Sequence, residues 1–275
     1  MSAAAAASDP QRAHSVGGAD RAPPVAAGRI WQQIAADSIM PYSRDVGNLV
    51  ALARRIAAEA PPARVGRSPF DPPPGEELPE PFRAMAQDFD AALAALTAAD
   101  FALQVPEDTL HPDDAVLETA REAVLFPKTR SNMAYLPVVD DADVSIGVFL
   151  LPPGSFIPLH DHPGMHVFSK TLYGSFYTVE MDQVDEGRAR VVDEHVRTSQ
   201  SPMAVVRADY GNLHAIYAYS TCAFVDVILP PYENGVRECT YYKITDASAW
   251  PNVALRTDAA DEFACEPLEP LSATM

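Results

Sequence analysis

Between Asn132 and Ile244 the chain is a succession of short apolar runs, each closed by a turn signal, with no helical periodicity between them. The runs read as strands at Val144–Leu151, His166–Tyr173, Ser175–Met181, Arg188–Val192, Met203–Val206, Leu213–Tyr219, Ala223–Leu229 and Cys239–Ile244. Strands without intervening helices can bury their apolar faces only against one another, so this half predicts an antiparallel sandwich or barrel. Twenty-six prolines and thirteen glycines supply the tight turns that such a fold consumes. The 275 residues, 48% hydrophobic, suffice for one generous core.

Ahead of the strands the periodicity is helical. Ser43 is a natural N-cap for a helix carrying Val46, Leu49, Val50, Ala53 and Ile56 on one side. A second stripe runs through Phe82, Met85, Phe89, Leu93 and Leu96, and a short helix is expected at Ile30–Ala36. These stripes read as core contacts. The expected organisation is a disordered tail at 1–28, one domain at 29–257 and a loose acidic tail at 258–275. The domain divides into a helical part at 29–130, including a proline-rich linker at Pro61–Pro81, and a barrel at 131–257.

The chemistry concentrates in GSFIPLHDHPGMHVFSKTLYG, residues 154–174. His160 and His162 are one residue apart in an apolar strand, so their imidazoles share a face and Asp161 points the other way. Two neutral nitrogen donors on one rigid element are half of a metal site. His214, in GNLHAIYAYS, supplies a third from another strand, and three such ligands hold a divalent metal while leaving coordination positions open. His166 is adjacent in sequence but would face opposite to Val167, which favours a structural or supporting role.

The spacing Gly154-x5-His160-x-His162-x4-Val167-x6-Gly174 follows the first cupin motif, and Gly211-x-x-His214 the core of the second. Most cupins place a glutamate ligand where this chain has Val167, leaving a neutral three-histidine face here. IPLHDHPGMHVFSKTLYG, NLHAIYAYSTCAFVDVILPPY and RECTYYKI together resemble the thiol dioxygenases that comprise plant cysteine oxidases and animal cysteamine (2-aminoethanethiol) dioxygenase. Pro163–His166 looks like the animal branch, whereas Val167–Lys170 and Cys239–Tyr242 look plant-like.

That resemblance implies a mainly β, cupin-type antiparallel β-barrel (double-stranded β-helix) with N-terminal α-helices packed against it. It implies Fe(2+) held by His160, His162 and His214, and insertion of both atoms of O2 into a thiol to give a sulfinic acid. The substrate would be cysteamine or the N-terminal cysteine of a protein, with a role in oxygen sensing. Asp226 matches an aspartate near the iron, and Tyr232 the tyrosine closing the Pro-Pro-Tyr run. Cys239 and Tyr241, at i and i+2 of one strand face, match a pair that carries a thioether crosslink in the animal branch; the sequence leaves that bond open here. A cupin using another divalent metal, or a non-catalytic metal-binding cupin module, are the competing readings.

Twenty basic against thirty-eight acidic residues give a net charge of −18, which repels phosphate backbones and anionic membranes, so neither nucleic acid nor membrane is an expected partner. Three cysteines at no zinc-ribbon spacing fit a reducing compartment. With no charged start ahead of a hydrophobic segment, the expectation is a cytoplasmic monomer, with the nucleus also admitted. Lys170, Arg207 and Arg237 are the cations near the motifs that a free amino acid's carboxylate would need.

Overall fold

The computed structural model describes residues 42–59, 80–107, 117–127 and 130–268. The tail at 1–28, the helix at Ile30–Ala36 and the linker at Pro61–Pro81, except its last two residues, lie outside the described residues. Among the described residues three α-helices come first: α1 (Arg44–Glu59), α2 (Glu80–Ala94) and, after a 3₁₀ turn at Ala98–Phe101, α3 (Leu117–Leu125). Ser43 caps α1 as its residue type requires, its Oγ accepting from the Val46 amide at 3.3 Å. The buried residues of α1 are those of the predicted stripe, Val46, Leu49, Val50, Ala53 and Ile56.

Twelve strands follow: β1 (Ser131–Asp140), β2 (Ser145–Leu151), β3 (Phe156–Asp161), β4 (His166–Tyr173), β5 (Ser175–Asp185), β6 (Arg188–Thr198), β7 (Ala204–Val206), β8 (Leu213–Ala218), β9 (Cys222–Leu229), β10 (Tyr241–Ala249), β11 (Asn252–Asp258) and β12 (Phe263–Pro267). One sheet has the order β12-β1-β2-β9-β4-β7. In the other, β10-β11-β6-β5-β8-β3, the last strand meets β10 again through one register pair, Tyr241 opposite His160. The two sheets face each other, and Met133, Phe149, Ile157, Phe176, Ile216 and Phe224 from both fill the space between.

The first sheet is buried on both faces. Along β9, Ala223, Val225, Val227 and Leu229 pack in one cluster with α1 and α2. The alternate residues Cys222 and Phe224 face the interior between the sheets. This two-sided burial explains why that strand is apolar at every position except Asp226. α3 covers the outside of the second sheet, where Ala120 and Val124 join Tyr177, Val179 and Ala215. Arg121 anchors it there by pairing with Glu194, to which the Tyr177 hydroxyl also donates.

Three expectations are corrected. The pairing is not wholly antiparallel, because β12 runs parallel to β1. The stretch from 258 is not all loose: β12 adds an edge strand, and Phe263 and Cys265 pack against the interior cluster. Apolar side chains at alternate positions gave this short segment a face to bury. Cys239 lies outside β10, which begins only at Tyr241. The Thr240 amide donates to the Asp161 carboxylate, and its carbonyl accepts from the Asp161 amide, so these groups are spent outside any strand ladder.

Candidate metal centre

Strand register brings the site together. His160 on β3 is directly opposite His214 on β8, which on its other side is opposite Glu180 on β5. His160 is also opposite Tyr241 on β10. Residues 180, 214, 160 and 241 thus form one row across four strands, and directly paired positions point to the same face. In the facing sheet, Asp226 on β9 is opposite Gly147 on β2 and Ser169 on β4. His162 follows the end of β3, and the turn through Gly164, with φ of +67°, lets the chain reverse immediately behind it.

His160, His162 and His214 are all buried and form the one group among the described residues able to hold a metal ion. His214 Nε2 is 3.0 Å from His162 Nε2 and 3.1 Å from His160 Nε2. At a metal–nitrogen bond of about 2.1 Å, ligands at right angles stand about 3.0 Å apart, and tetrahedral ones about 3.4 Å. Each of these two separations suits neighbouring ligands on one metal ion. Burial drives all three pKa values down, that of His160 to about 4, and keeps the rings in the neutral form that ligates.

The supporting hydrogen bonds fix the ring orientations. The Pro158 carbonyl lies 2.8 Å from His160 Nδ1 and can only accept, so the proton sits on Nδ1 and Nε2 carries the free lone pair. The Tyr232 hydroxyl donates to the Asp161 carbonyl at 2.8 Å, so its oxygen accepts from His162 Nδ1, also at 2.8 Å. Asn212 clamps the His162 backbone from both ends, accepting from its amide at 3.1 Å and donating to its carbonyl at 2.8 Å. Sequence reasoning missed Asn212; its place beside Gly211 in the second motif was the available signal.

Asp226 faces the histidines across a chamber lined also by Tyr135, Phe149, Ile157, Phe224, Ile228, Tyr232 and Cys239. Only 7% of its surface is exposed. Burial pushes its pKa up to about 7, opposed by a hydrogen bond to Ser169, and Oδ1 has no hydrogen-bond partner among the described residues. A second cavity beyond Asp226 is lined by Ser169, Thr178, Glu180 and Arg197. Glu180, too, is buried, and desolvation raises its pKa to about 7.

The Cys239 thiol interacts with the Tyr232 and Tyr241 hydroxyls, and burial raises its pKa to about 12. The Tyr241 ring lies tilted beside that of His160, centroids 5.9 Å apart, but does not line the chamber. Val167 is buried beside Met165, Val206 and Ile228, so an apolar side chain occupies the position where many cupins have a carboxylate. His166 faces away from the site, edge-on to Phe82 at 4.9 Å. The three cations are engaged elsewhere: Lys170 donates to the Ser199 and Ser201 carbonyls, Arg207 pairs with Asp209, and Arg237 with Glu233.

The two facing sheets and the three-histidine site define a cupin-like metal-binding protein. The PCO_ADO family model matches residues 93–273, and the chain belongs to that family. Among curated relatives, plant cysteine oxidase 1 of Arabidopsis thaliana is 37% identical over 127 residues, covering 40% of this chain and 41% of that protein. Human 2-aminoethanethiol dioxygenase is 29% identical over 266 residues, covering 80% of this chain and 94% of its own length. The chain thus spans under half of the plant relative and nearly all of the human one. Among solved structures, a protein from Klebsiella pneumoniae with a double-stranded β-helix domain has TM-score 0.30 and 16% identity over 48% of this chain and 84% of its own. That likeness is too slight to bear on the reading.

Proposed function

We propose that this protein is an iron-dependent thiol dioxygenase that converts the thiol of an N-terminal cysteine, or of cysteamine, to the sulfinic acid, RSH + O2 → RSO2H. We read the two sheets as the halves of a cupin barrel and place the activity in the cytoplasm. The observation that carries the function is the neutral three-histidine face opposite a buried carboxyl, in a chain of the PCO_ADO family.

Ferrous iron bound at the three Nε2 atoms supplies the redox chemistry with O2 and an electropositive centre that favours a thiolate. Every other part is the protein's. His160, His162 and His214 donate without charge, so the site keeps its full attraction for an anionic sulfur. Pro158 and Tyr232 hold two of those rings in the ligating tautomer. Phe149, Ile157, Phe224 and Ile228 give the chamber an apolar lining. Asp226, its Oδ1 without a partner among the described residues, is positioned to accept a hydrogen bond from a substrate amine or to take the thiol proton.

Mass spectrometry of cysteamine and of a Cys-initiated peptide, each incubated with the iron-loaded protein and O2, tests this. A gain of two oxygen atoms on either supports the reading. No gain on either, in protein whose iron content is verified, refutes it. Full activity with zinc or manganese in place of iron would move the protein to the alternative cupin chemistry.

A further inference from the structure

Asp161, the last residue of β3, stands between His160 and His162 and makes four hydrogen bonds to one other segment of the chain. Asp161 Oδ1 accepts from the Thr240 amide at 2.8 Å, and Oδ2 accepts from the Tyr242 hydroxyl at 2.9 Å. Its own amide donates to the Thr240 carbonyl at 3.2 Å, and its carbonyl accepts from the Tyr232 hydroxyl at 2.8 Å. All the partners lie between residues 232 and 242, the segment that brings Cys239 and Tyr232 to the wall of the metal chamber.

The sheet does not hold that segment by itself. β10 and β3 share one register pair, Tyr241 with His160, and the chain from 238 to 240 belongs to no strand. A strand ladder would have given the Thr240 amide a backbone acceptor; here the acceptor is a carboxylate oxygen. The alternation of β3 makes this arrangement necessary. His160 and His162 face inward, so the residue between them faces the neighbouring segment.

We infer that Asp161 is a positioning residue for the thiol substrate: its carboxylate ties Thr240 and Tyr242, just after Cys239, to the metal strand, its carbonyl holds Tyr232, and together they fix the width of the chamber. This rests on the thiol dioxygenase reading for the identity of the ligand. The strap itself rests on the four hydrogen bonds. Asp161→Ala removes both carboxylate acceptors and leaves every metal ligand in place. Asp161→Asn keeps both bonds, since its amide oxygen accepts from Thr240 and its amino group donates to the Tyr242 oxygen. Tyr242→Phe removes one bond from the far side of the strap and leaves the Thr240 bond in place.

The test is anaerobic calorimetric titration of the iron-loaded proteins with a short Cys-initiated peptide, together with hydrogen exchange of the 232–242 segment. We expect Asp161→Ala to weaken peptide binding by about tenfold, the scale of a lost partner behind a ligand residue. The Thr240 and Tyr241 amides should exchange faster, while iron content stays the same. Tyr242→Phe should fall between, and Asp161→Asn should return to within about threefold of wild type.

A merely structural role would lower the fraction of binding-competent protein without changing the dissociation constant, so that result overturns the inference. So does unchanged exchange in Asp161→Ala, or an Asn variant no better than Ala. Admitting O2 afterwards separates the two claims. A wild type that binds peptide and forms no sulfinate sinks the dioxygenase reading and leaves the strap standing.

Discussion

Replacing Tyr232 by Phe isolates how much the ring-holding hydrogen bonds contribute to the metal centre. The substitution keeps the aromatic ring, whose centroid is 5.4 Å from that of His162, and deletes one oxygen. That oxygen serves the Nδ1 of His162 and the Asp161 carbonyl, each at 2.8 Å, and also interacts with the Cys239 thiol. Leaving a buried donor or acceptor unpaired costs about 1–3 kcal/mol. Here the cost falls on the ligating form, because His162 must carry its proton on Nδ1 to present Nε2 to a metal. Loss of such a partner weakens metal binding by about 10–100-fold, or about 1.4–2.8 kcal/mol. The assay is anaerobic competition for iron(II) against a chelator of known affinity, with turnover measured separately at saturating iron. We expect the metal dissociation constant to rise by about tenfold or more, with most turnover recovered once iron is saturating. A dissociation constant within about twofold of wild type would show that Asn212 and the backbone turn hold His162 without the hydroxyl, and the argument from ring orientation would fall.

The remaining predictions concern the other walls of the site. Replacing His160, His162 or His214 by Ala should abolish turnover and lower iron content; normal iron and activity in any one variant would remove that residue from the ligand set. Asp226→Asn should retain iron and lose most turnover, and kinetics close to wild type at matched iron content would return Asp226 to a structural role. In the metal-free protein the same substitution reports its titration. A carboxyl raised to about 7 in the fold contributes fully below the ordinary carboxylate pKa, and that contribution is lost as pH rises through about 7. The Asn variant should therefore gain stability relative to wild type between about pH 4 and pH 7, by up to ~4 kcal/mol, and parallel melting curves at pH 5 and pH 8 would contradict it. Free L-cysteine should turn over more slowly than a Cys-initiated peptide at equal thiol concentration. Among the described residues no lysine or arginine lines the chamber to receive its carboxylate; faster use of free cysteine would point to Arg197, across the second cavity, as a clamp. Finally, Gly147→Ala would put a Cβ 2.3 Å from the Tyr135 ring, so thermal stability should fall by about 1–3 kcal/mol; an unchanged melting temperature would mean that the ring moves freely.

The sequence by itself determined the parts of this protein that depend on spacing along one element. The period of two put His160 and His162 on one face and turned Asp161 and His166 away, and the helical stripe of α1 was legible residue by residue. Asp226 was singled out only through the resemblance of its FVDVILPPY run to the thiol dioxygenases, and its burial beside the histidines came from the fold. Tertiary structure alone decided which strands became neighbours and at what register. Only the pairing of β3 with β8 and β10 set His160 opposite His214 and Tyr241. Only the meeting of two segments some eighty residues apart showed what Asp161 holds. It also placed Tyr241 behind the chamber, left Cys239 outside a strand, and gave the apparently loose residues after 258 a parallel edge on β1. The physical reason is the same each time. Side-chain direction follows from local backbone geometry, whereas register between distant strands is set by packing the whole core, which no local run of residues contains.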